Sequence, residues 1–284
     1  MLCEFGAAAV KTAGRQVRAP GECGDKNGCG ARRDACARRE KRCLAYKFDF
    51  TAVWEAMPQL LAASLGTLGL AVAGSVLATV IGVGGVILRD SRFPPMRWAV
   101  MAFVELIRNT PFLVQIYFIF FALPLLGEQL GQWLAWWGVL DKPVNYLLIG
   151  PWPTAMIALG LNGGAYAIEI IRGGVQSIPQ GQWEAGLALG LHKASVFRLI
   201  VLKPALRAIY PSLTSQFTLL TLTTSIAGAI AAYELFSEAK FIDSQIYKPF
   251  EVYFTITVFY FMISWLMNLL FQAIARHYFS YPVK

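Results

Sequence analysis

The chain has few charged residues, few histidines and no cysteine after residue 43. Charged residues make up 15% of its 284 positions, against about 25% in an ordinary soluble domain, and 56% of the chain is hydrophobic. His192 and His277 are the only histidines, and the sequence holds no HExxH zinc signature, no Ser/His/Asp set and no GxxxxGKS/T phosphate loop. These absences argue against a catalytic site, a metal site or ATP hydrolysis by this chain. The low fraction of charged residues and the high hydrophobic fraction indicate a membrane protein.

All five cysteines lie in a basic tail, residues 1–43, which contains ten Lys/Arg and five Asp/Glu. The odd count, and the five or six residues that separate the later four cysteines, do not match a CxxC metal site. No continuous apolar stretch follows the charges, so the tail is not a secretory signal, and its composition predicts disorder. We interpret it as an extension from a misassigned start, with the natural start near Leu44. A genuine disordered tail is the alternative.

From residue 44 to residue 284 the pattern predicts an all-α transmembrane domain. Five apolar segments are long enough to span a bilayer, at about 58–88, 96–126, 153–171, 205–232 and 252–274. Pro111 predicts a break in the second segment at Asn109–Pro111, which is tolerated only against protein or a water-filled cavity. Residues 127–150 are interpreted as a connection whose tryptophans, Trp133, Trp136 and Trp137, lie at the membrane interface.

The stretch from Gln180 to Arg207 lies between the third and fourth apolar segments and is too polar to span a membrane. Its apolar residues have mixed helical spacing, and Gly186 and Gly190 weaken a continuous helix. The pattern predicts two short amphipathic helices with a bend, lying outside the bilayer with an apolar face against a partner. A helix lying flat in the lipid headgroups would explain the same pattern.

Polar side chains recur on one face in several of the predicted spans. The third span carries Asn162 and Tyr166 at helical spacing, and the fourth carries a stripe of threonines and serines. Facing stripes would line a pathway for a polar solute, whereas hydrogen bonds between helices are the alternative. The candidate pathway residues are Asn109, Thr110, Gln115, Asn162, Tyr166, Thr218, Thr221 and Ser225.

Two acidic residues near span ends each have an arginine three positions later. Glu105 precedes Arg108, and Glu169 precedes Arg172. Residues at this spacing are neighbours on a helix surface, so we expect two local ion pairs at the membrane edge and no cation site.

Two motifs resemble those of a known family. Glu184-Ala185-Gly186 followed by Gly190 and Pro204 resembles the EAA loop of ABC importer permeases, and Val104 to Gln115 resembles the ELxRxTPxLVQ stretch of the branch that imports polar amino acids. The resemblance covers the chain from about Ala45 to its end. Gly186 replaces the usual alanine, and Lys203 separates Leu202 from Pro204 where the family has Leu-Pro.

The resemblance implies a five-span type I importer domain that moves polar amino acids by alternating access. It implies as partners a dimeric ABC ATPase, a second permease subunit, the same or paralogous, and a periplasmic amino-acid-binding protein. ATP and Mg would bind to the ATPase, and this chain would bind no cofactor. The residues implied to couple transport to the ATPase are Glu184, Ala185, Gly186, Gly190, His192 and Arg198.

Charge distribution predicts the orientation in the membrane. If the 180–204 loop is cytoplasmic, eleven basic residues lie inside: Arg89, Arg92, Arg97, Arg108, Arg172, Lys193, Arg198, Lys203, Arg207, Arg276 and Lys284. Lys142, Lys240 and Lys248 then lie outside. With five spans, this bias predicts an outer N-terminus and a cytoplasmic C-terminus, and the resemblance implies the bacterial cytoplasmic (inner) membrane. Topology explains the basic charge after residue 43 without nucleic acid, whereas the basic tail of residues 1–43 violates the positive-inside rule.

Two rival functions remain at this point. A secondary amino acid transporter without an ATPase would be expected to show ion-coordinating carboxylates in its spans and inverted repeats, and neither is evident. A membrane-integral enzyme would need clustered histidines, cysteines or carboxylates in the spans.

Overall fold

The computed structural model describes residues 48–136 and 149–278, and the helices below belong to one compact unit that begins at Phe50. Several sequence predictions lie outside the described residues: those on the tail of residues 1–43, the start at Leu44, Trp137, Lys142 and Lys284. The division into a tail and a transmembrane domain therefore stays a prediction.

The described part of the chain contains helices and turns but no strands. The helices are α1 (Thr51–Glu55), α2 (Met57–Arg89), α3 (Pro94–Arg108), α4 (Phe112–Tyr117), α5 (Leu123–Trp136), α6 (Pro151–Gln176), α7 (Gln180–Ala188), α8 (Lys193–Val196), α9 (Leu202–Thr223), α10 (Leu235–Ile246) and α11 (Pro249–Tyr278). Two π-helical turns, Phe118–Ala122 and Phe197–Val201, join α4 to α5 and α8 to α9, and a 3₁₀ turn, Thr224–Ile230, extends α9. The predicted all-α fold is confirmed.

Within the described residues, five helical segments are long and apolar enough to cross a membrane, which is the predicted number. In chain order these spans are Met57–Arg89, Phe112–Trp136, Pro151–Gln176, Lys193–Ile230 and Pro249–Tyr278. We refer to them as spans one to five.

Spans one and three pack closely along their length because small residues meet at their contact. A Cβ atom added at Gly74 would lie 3.0 Å from the Leu159 Cβ, and one added at Gly82 would lie 2.7 Å from the Ala167 Cβ. Larger side chains would push the two helices apart. This contact brings the end of α2 beside the last turns of α6.

A second core lies where α10 packs against spans one and five, with α1 at the edge of the same cluster. Its fully or nearly fully buried residues are Val53, Leu60, Leu235, Ala239, Ile242, Val252, Ile256 and Ile263. This core attaches α10 to the bundle next to the end of span four.

The break predicted from Pro111 is present between α3 and α4. Helix α3 ends at Arg108, and α4 begins at Phe112 after Pro111, whose backbone is extended. Proline has no N–H to donate and disfavours helical geometry at Thr110. The break therefore separates the amphipathic α3 from span two.

Span two extends beyond its predicted end at Leu126, since α5 continues to Trp136. The polar residues that suggested a connection, Glu128 and Gln132, lie exposed on this helix, and the Gln132 amide donates to the Glu128 carboxylate at 3.4 Å. Exposed polar side chains four positions apart do not interrupt a helix.

Span four begins at Lys193, earlier than the predicted Ala205. Pro204 lies in the first turn of α9, directly after the π-helical turn Phe197–Val201. In a regular helix its ring would clash with the Ile200 carbonyl, and the wider turn accommodates it. Part of the 180–204 loop is thus continuous with span four.

Candidate functional site

The stretch predicted as an extramembrane loop contains two short helices, α7 and α8, and the bend that its sequence predicts, although α8 is continuous with span four. Gly190 has a φ of +79°, and its N–H donates to the Leu187 carbonyl at 2.9 Å. The Leu191 N–H donates to the Gly186 carbonyl at 3.3 Å. This pair of bonds is a Schellman motif, which ends α7 and turns the chain. A residue with a side chain would be strained at this φ by about 1–2 kcal/mol.

After the bend, α8 packs back against α7. The imidazole of His192 accepts a long bond of 3.4 Å from the Ala194 N–H at the start of α8. Gly186 is buried, and a Cβ atom there would lie 2.8 Å from Ile200 Cδ1 and 2.9 Å from the Val196 methyl groups. Glycine at position 186, where the family has alanine, thus allows α7 to approach the π-helical turn.

The outer surface of this loop combines charged and apolar side chains. Glu184, Ala185 and Arg198 are exposed, as are Leu187 and Leu189, the latter at 79% of its surface. Exposed leucines with charged neighbours are typical of a surface that binds another protein. The residues predicted to couple transport to an ATPase are therefore exposed, apart from Gly186, which is buried.

The predicted pair of Glu169 and Arg172 is present and has an additional partner. The Glu169 carboxylate accepts from Arg172 at 3.0 Å, and its other oxygen pairs with Arg89. Arg89 is the last residue of α2, and the close packing of α2 on α6 brings it to Glu169. No local pattern in the sequence could have identified this partner, since it lies in another span.

The predicted pair of Glu105 and Arg108 is not formed. Among the described residues, ion pairs involve Glu169, whereas the Glu105 carboxylate accepts from the Asn109 amide at 3.0 Å. The Arg108 guanidinium instead lies 5.5 Å from the centre of the Tyr166 ring on α6, in cation–π geometry. Arg108 thus contacts a tyrosine on a neighbouring helix and does not pair with Glu105 on its own helix.

Three candidate pathway residues meet at the break in span two. The Gln115 amide nitrogen lies 2.7 Å from the Ile107 carbonyl oxygen and 2.9 Å from the Thr110 hydroxyl, and the Asn162 amide donates to the Gln115 oxygen at 3.1 Å. Gln115 is buried, whereas Asn109 is exposed and Asn162 is half-buried. These side chains are occupied by bonds within the chain.

The hydroxyl groups of span four also have partners. Thr221 is fully buried and donates to the Phe217 carbonyl at 2.9 Å, so its hydroxyl is engaged within its own helix, and its place in a pathway stays a prediction. The Thr218 hydroxyl lies 3.3 Å from the Asn268 oxygen on span five, which is the hydrogen bonding between helices that the sequence left open. Ser225 donates to the Leu222 carbonyl. For the half-buried Thr218 and Ser225 the pathway stays a prediction.

A buried carboxylate that sequence reasoning missed lies after span four. Glu234 is fully buried and accepts from the N–H groups of Phe236 at 2.8 Å and Ser237 at 2.6 Å, and from the Tyr260 hydroxyl at 2.8 Å. Burial raises the pKa of Glu234 to about 7, against the opposing effect of these bonds. Sequence reasoning considered acidic residues inside the predicted spans and so missed Glu234. The available signal was its position as an N-cap of the following helix.

Metal binding finds no support in residues 48–136 and 149–278, where no group of three or more His, Cys, Asp or Glu side chains could hold an ion.

Residues 81–279 match the family described as binding-protein-dependent transport system inner membrane component. The chain is 32% identical over 230 residues to the glutamine transport system permease protein GlnP of Escherichia coli (strain K12), covering 81% of this chain and 97% of that protein. It is also 32% identical over 220 residues to the L-cystine transport system permease protein TcyB of Bacillus subtilis (strain 168), covering 77% and 86%.

Solved structures share the fold. The structure of an amino acid ABC transporter with histidines aligns with a TM-score of 0.69 and 26% identity, covering 82% of this chain and all of that one. The inward-facing MetNI methionine ABC transporter aligns with a TM-score of 0.58 at 19% identity and supports the fold alone. The type I importer fold is confirmed. This chain belongs to the family of binding-protein-dependent transport system inner membrane components, as a multi-pass permease subunit that works with a separate ATPase.

Proposed function

We propose that this chain forms the membrane pathway of an ATP-driven importer of polar amino acids, which works by alternating access. The observation that carries the proposal is the bend at Gly190 in the loop after span three, whose exposed residues Glu184 and Ala185 belong to a motif that resembles the EAA loop of ABC permeases. The names of the relatives, which transport glutamine and L-cystine, support polar amino acids as the substrate class.

The proposed assembly contains a second permease subunit, identical or paralogous, a dimeric ABC ATPase and a periplasmic amino-acid-binding protein. ATP and Mg bind to the ATPase, and this chain binds no cofactor. The positive-inside bias supports a cytoplasmic loop, an outer N-terminus and a cytoplasmic C-terminus in the inner membrane.

The connections of the loop support a mechanical role. Helix α6 ends at Gln176, with three residues between it and the start of α7 at Gln180, and α8 is continuous with span four. ATPase closure would draw the two loops of the permease pair together and move spans three and four with them, opening the pathway outward. Hydrolysis would then reset it.

The proposal is tested by reconstituting the chain with its ATPase and binding protein in proteoliposomes. We expect uptake of a polar amino acid that requires ATP and the binding protein. Uptake driven by an ion gradient without the ATPase would support a secondary transporter and overturn the proposal.

The loop is tested by Gly190→Arg, with Gly190→Asn as the matched control. Both replace glycine at a positive φ, but asparagine tolerates this conformation far better than other residues and is compact. We expect arginine to abolish ATPase association while insertion stays normal, and asparagine to retain it. Normal association and uptake with arginine would rule out the loop as the docking element.

A further inference from the structure

Two side chains one turn apart on α6 contact the two sides of the break that separates α3 from span two. The Asn162 amide donates to Gln115 after the break, at 3.1 Å, and the Tyr166 ring lies under the Arg108 guanidinium before the break, at 5.5 Å. Positions four apart share one face of a helix. The break is thus held to a single face of span three from both of its ends.

Gln115 also supplies a donor to two of the carbonyl groups that the break leaves without helical partners, those of Ile107 and Thr110. Its amide nitrogen lies 2.7 Å from the Ile107 carbonyl oxygen and 2.9 Å from both the carbonyl and the hydroxyl oxygens of Thr110. An unpaired carbonyl at membrane depth is costly, and a water-filled cavity is one way to avoid this cost. Here a protein side chain does so instead.

The chemistry requires an amide at this position. Gln115 donates to carbonyl oxygens with its NH₂ group and accepts from Asn162 with its oxygen, while only 8% of its surface is exposed. A carboxylate would lack the donors, and an apolar side chain would lack both functions. Such a fully engaged, buried side chain has little capacity left to bind a solute.

Span three contacts the break through residues of α6, and at the end of α6 it continues into the coupling loop. Three residues separate the end of α6 from α7, whereas Asn162 lies in the middle of α6. A displacement of α7 would move α6, and the hydrogen bond to Gln115 would transfer this movement to span two, while the contact with Arg108 would transfer it to α3.

We propose that Gln115, Asn162, Tyr166 and Arg108 form a clamp that makes α3 and span two, on the two sides of the break, move with span three. Gln115 and Asn162 act in this arrangement as positioning residues, through the hydrogen bond that joins them. The transport consequence rests on the proposed function, but the clamp itself is a property of the folded chain.

The clamp is tested by hydrogen exchange of the purified full chain, using Gln115→Met, Asn162→Leu and the double variant. We expect amides in residues 105–118 to exchange about tenfold faster in each single variant, since a hydrogen bond of about 1.4 kcal/mol is lost. The double variant should exchange no faster than Gln115→Met, because the two residues act as one unit.

Thr79→Val is the matched control, since the Thr79 hydroxyl donates to the Ser75 carbonyl within span one, at 2.8 Å. It should leave residues 105–118 unchanged. Unchanged exchange in the clamp variants, or fully additive effects, would overturn the proposal.

The transport consequence is tested in proteoliposomes with the ATPase and binding protein. Uptake per ATP hydrolysed should fall in Gln115→Met and Asn162→Leu, while stimulation of hydrolysis by the binding protein persists. A merely stabilising role would lower both together. A change in KM that differs between amino acids would mean that these residues bind solute, which would overturn the proposal. If the unmodified chain imports no amino acid, the proposed function fails, and hydrogen exchange still decides the clamp.

Discussion

The long helix from Lys193 to Ile230 has an exposed left-handed residue beyond each end, but the capping side chains near the two ends differ in burial. Before its start, Gly190 turns the chain at a φ of +79° and the exposed His192 caps the helix through a bond of 3.4 Å. After its end, Ala231 turns the chain at a φ of +55°, and the buried Glu234 caps α10 through bonds of 2.6 and 2.8 Å.

This difference shows how the same turning device serves two purposes. At the exposed end, water can form hydrogen bonds with polar groups, so a weak cap is sufficient. The leucine side chains at this end are exposed, and a partner protein could contact them. At the buried end, every polar group needs a partner within the chain, because an unpaired buried donor costs about 1–3 kcal/mol. The first end presents a surface, and the second joins spans four and five to α10.

The largest expected effect is that of Glu234→Ala on stability. It removes the cap of α10 and leaves the Tyr260 hydroxyl and two N–H groups without their acceptor, so we expect a loss of about 3 kcal/mol. The melting temperature in detergent measures this loss, and Glu234→Gln, which keeps an acceptor, should lose less. A wild-type melting temperature for Glu234→Ala would contradict the role of this end in joining spans four and five to α10.

The second prediction concerns pH. The pKa of Glu234 is raised from 4.5 to about 7, so the folded chain binds this proton more tightly than the unfolded chain. Stability from this group is therefore fully present below pH 4.5 and is lost as pH rises through about 7. Melting temperatures measured across this range should fall with rising pH, and Glu234→Gln should flatten that part of the curve. An unchanged slope in the variant would assign the dependence to other groups.

A reciprocal exchange at the two left-handed residues should give smaller effects of opposite sign. Gly190→Ala introduces strain of about 1 kcal/mol, whereas Ala231→Gly relieves a similar strain, less the entropy that glycine loses on folding. We expect a lower melting temperature for the first variant and an equal or higher one for the second. Destabilisation by Ala231→Gly would show that the methyl group contributes more than the strain costs.

The smallest effect is expected for His192→Ala. The bond from Ala194 is long and the imidazole is exposed, so its loss should leave the melting temperature nearly unchanged. A drop comparable to that of Glu234→Ala would remove the contrast between the two ends. Any loss of ATPase association without such a drop would mark His192 as a contact residue of the docking surface.

Much of the fold could be predicted from local patterns. The five apolar lengths, the break at Pro111 and the bend at Gly190 follow from rules that act within a few residues. The extent of spans two and four could not be predicted, because exposed polar side chains continue a helix as readily as they form a connection. A π-helical turn before Pro204 likewise has no clear signature in the sequence.

The two Glu-x-x-Arg pairs show what the sequence could not predict about the candidate site. Identical spacing predicts the same pairing, yet Glu169 binds Arg172 whereas Arg108 turns to Tyr166 on another helix. Spacing on a helix permits a contact, and the neighbouring helix decides whether it forms.

By itself, the sequence determined which segments are apolar enough to span a membrane, where proline and glycine interrupt them, and which family the loop resembles. Only the tertiary structure decided which polar groups meet. Arg89 reaches Glu169 across 80 positions, Asn162 reaches Gln115 across 47 and Tyr260 reaches Glu234 across 26. Such contacts depend on how closely the helices pack, which small residues such as Gly74 and Gly82 set far from the contacts themselves.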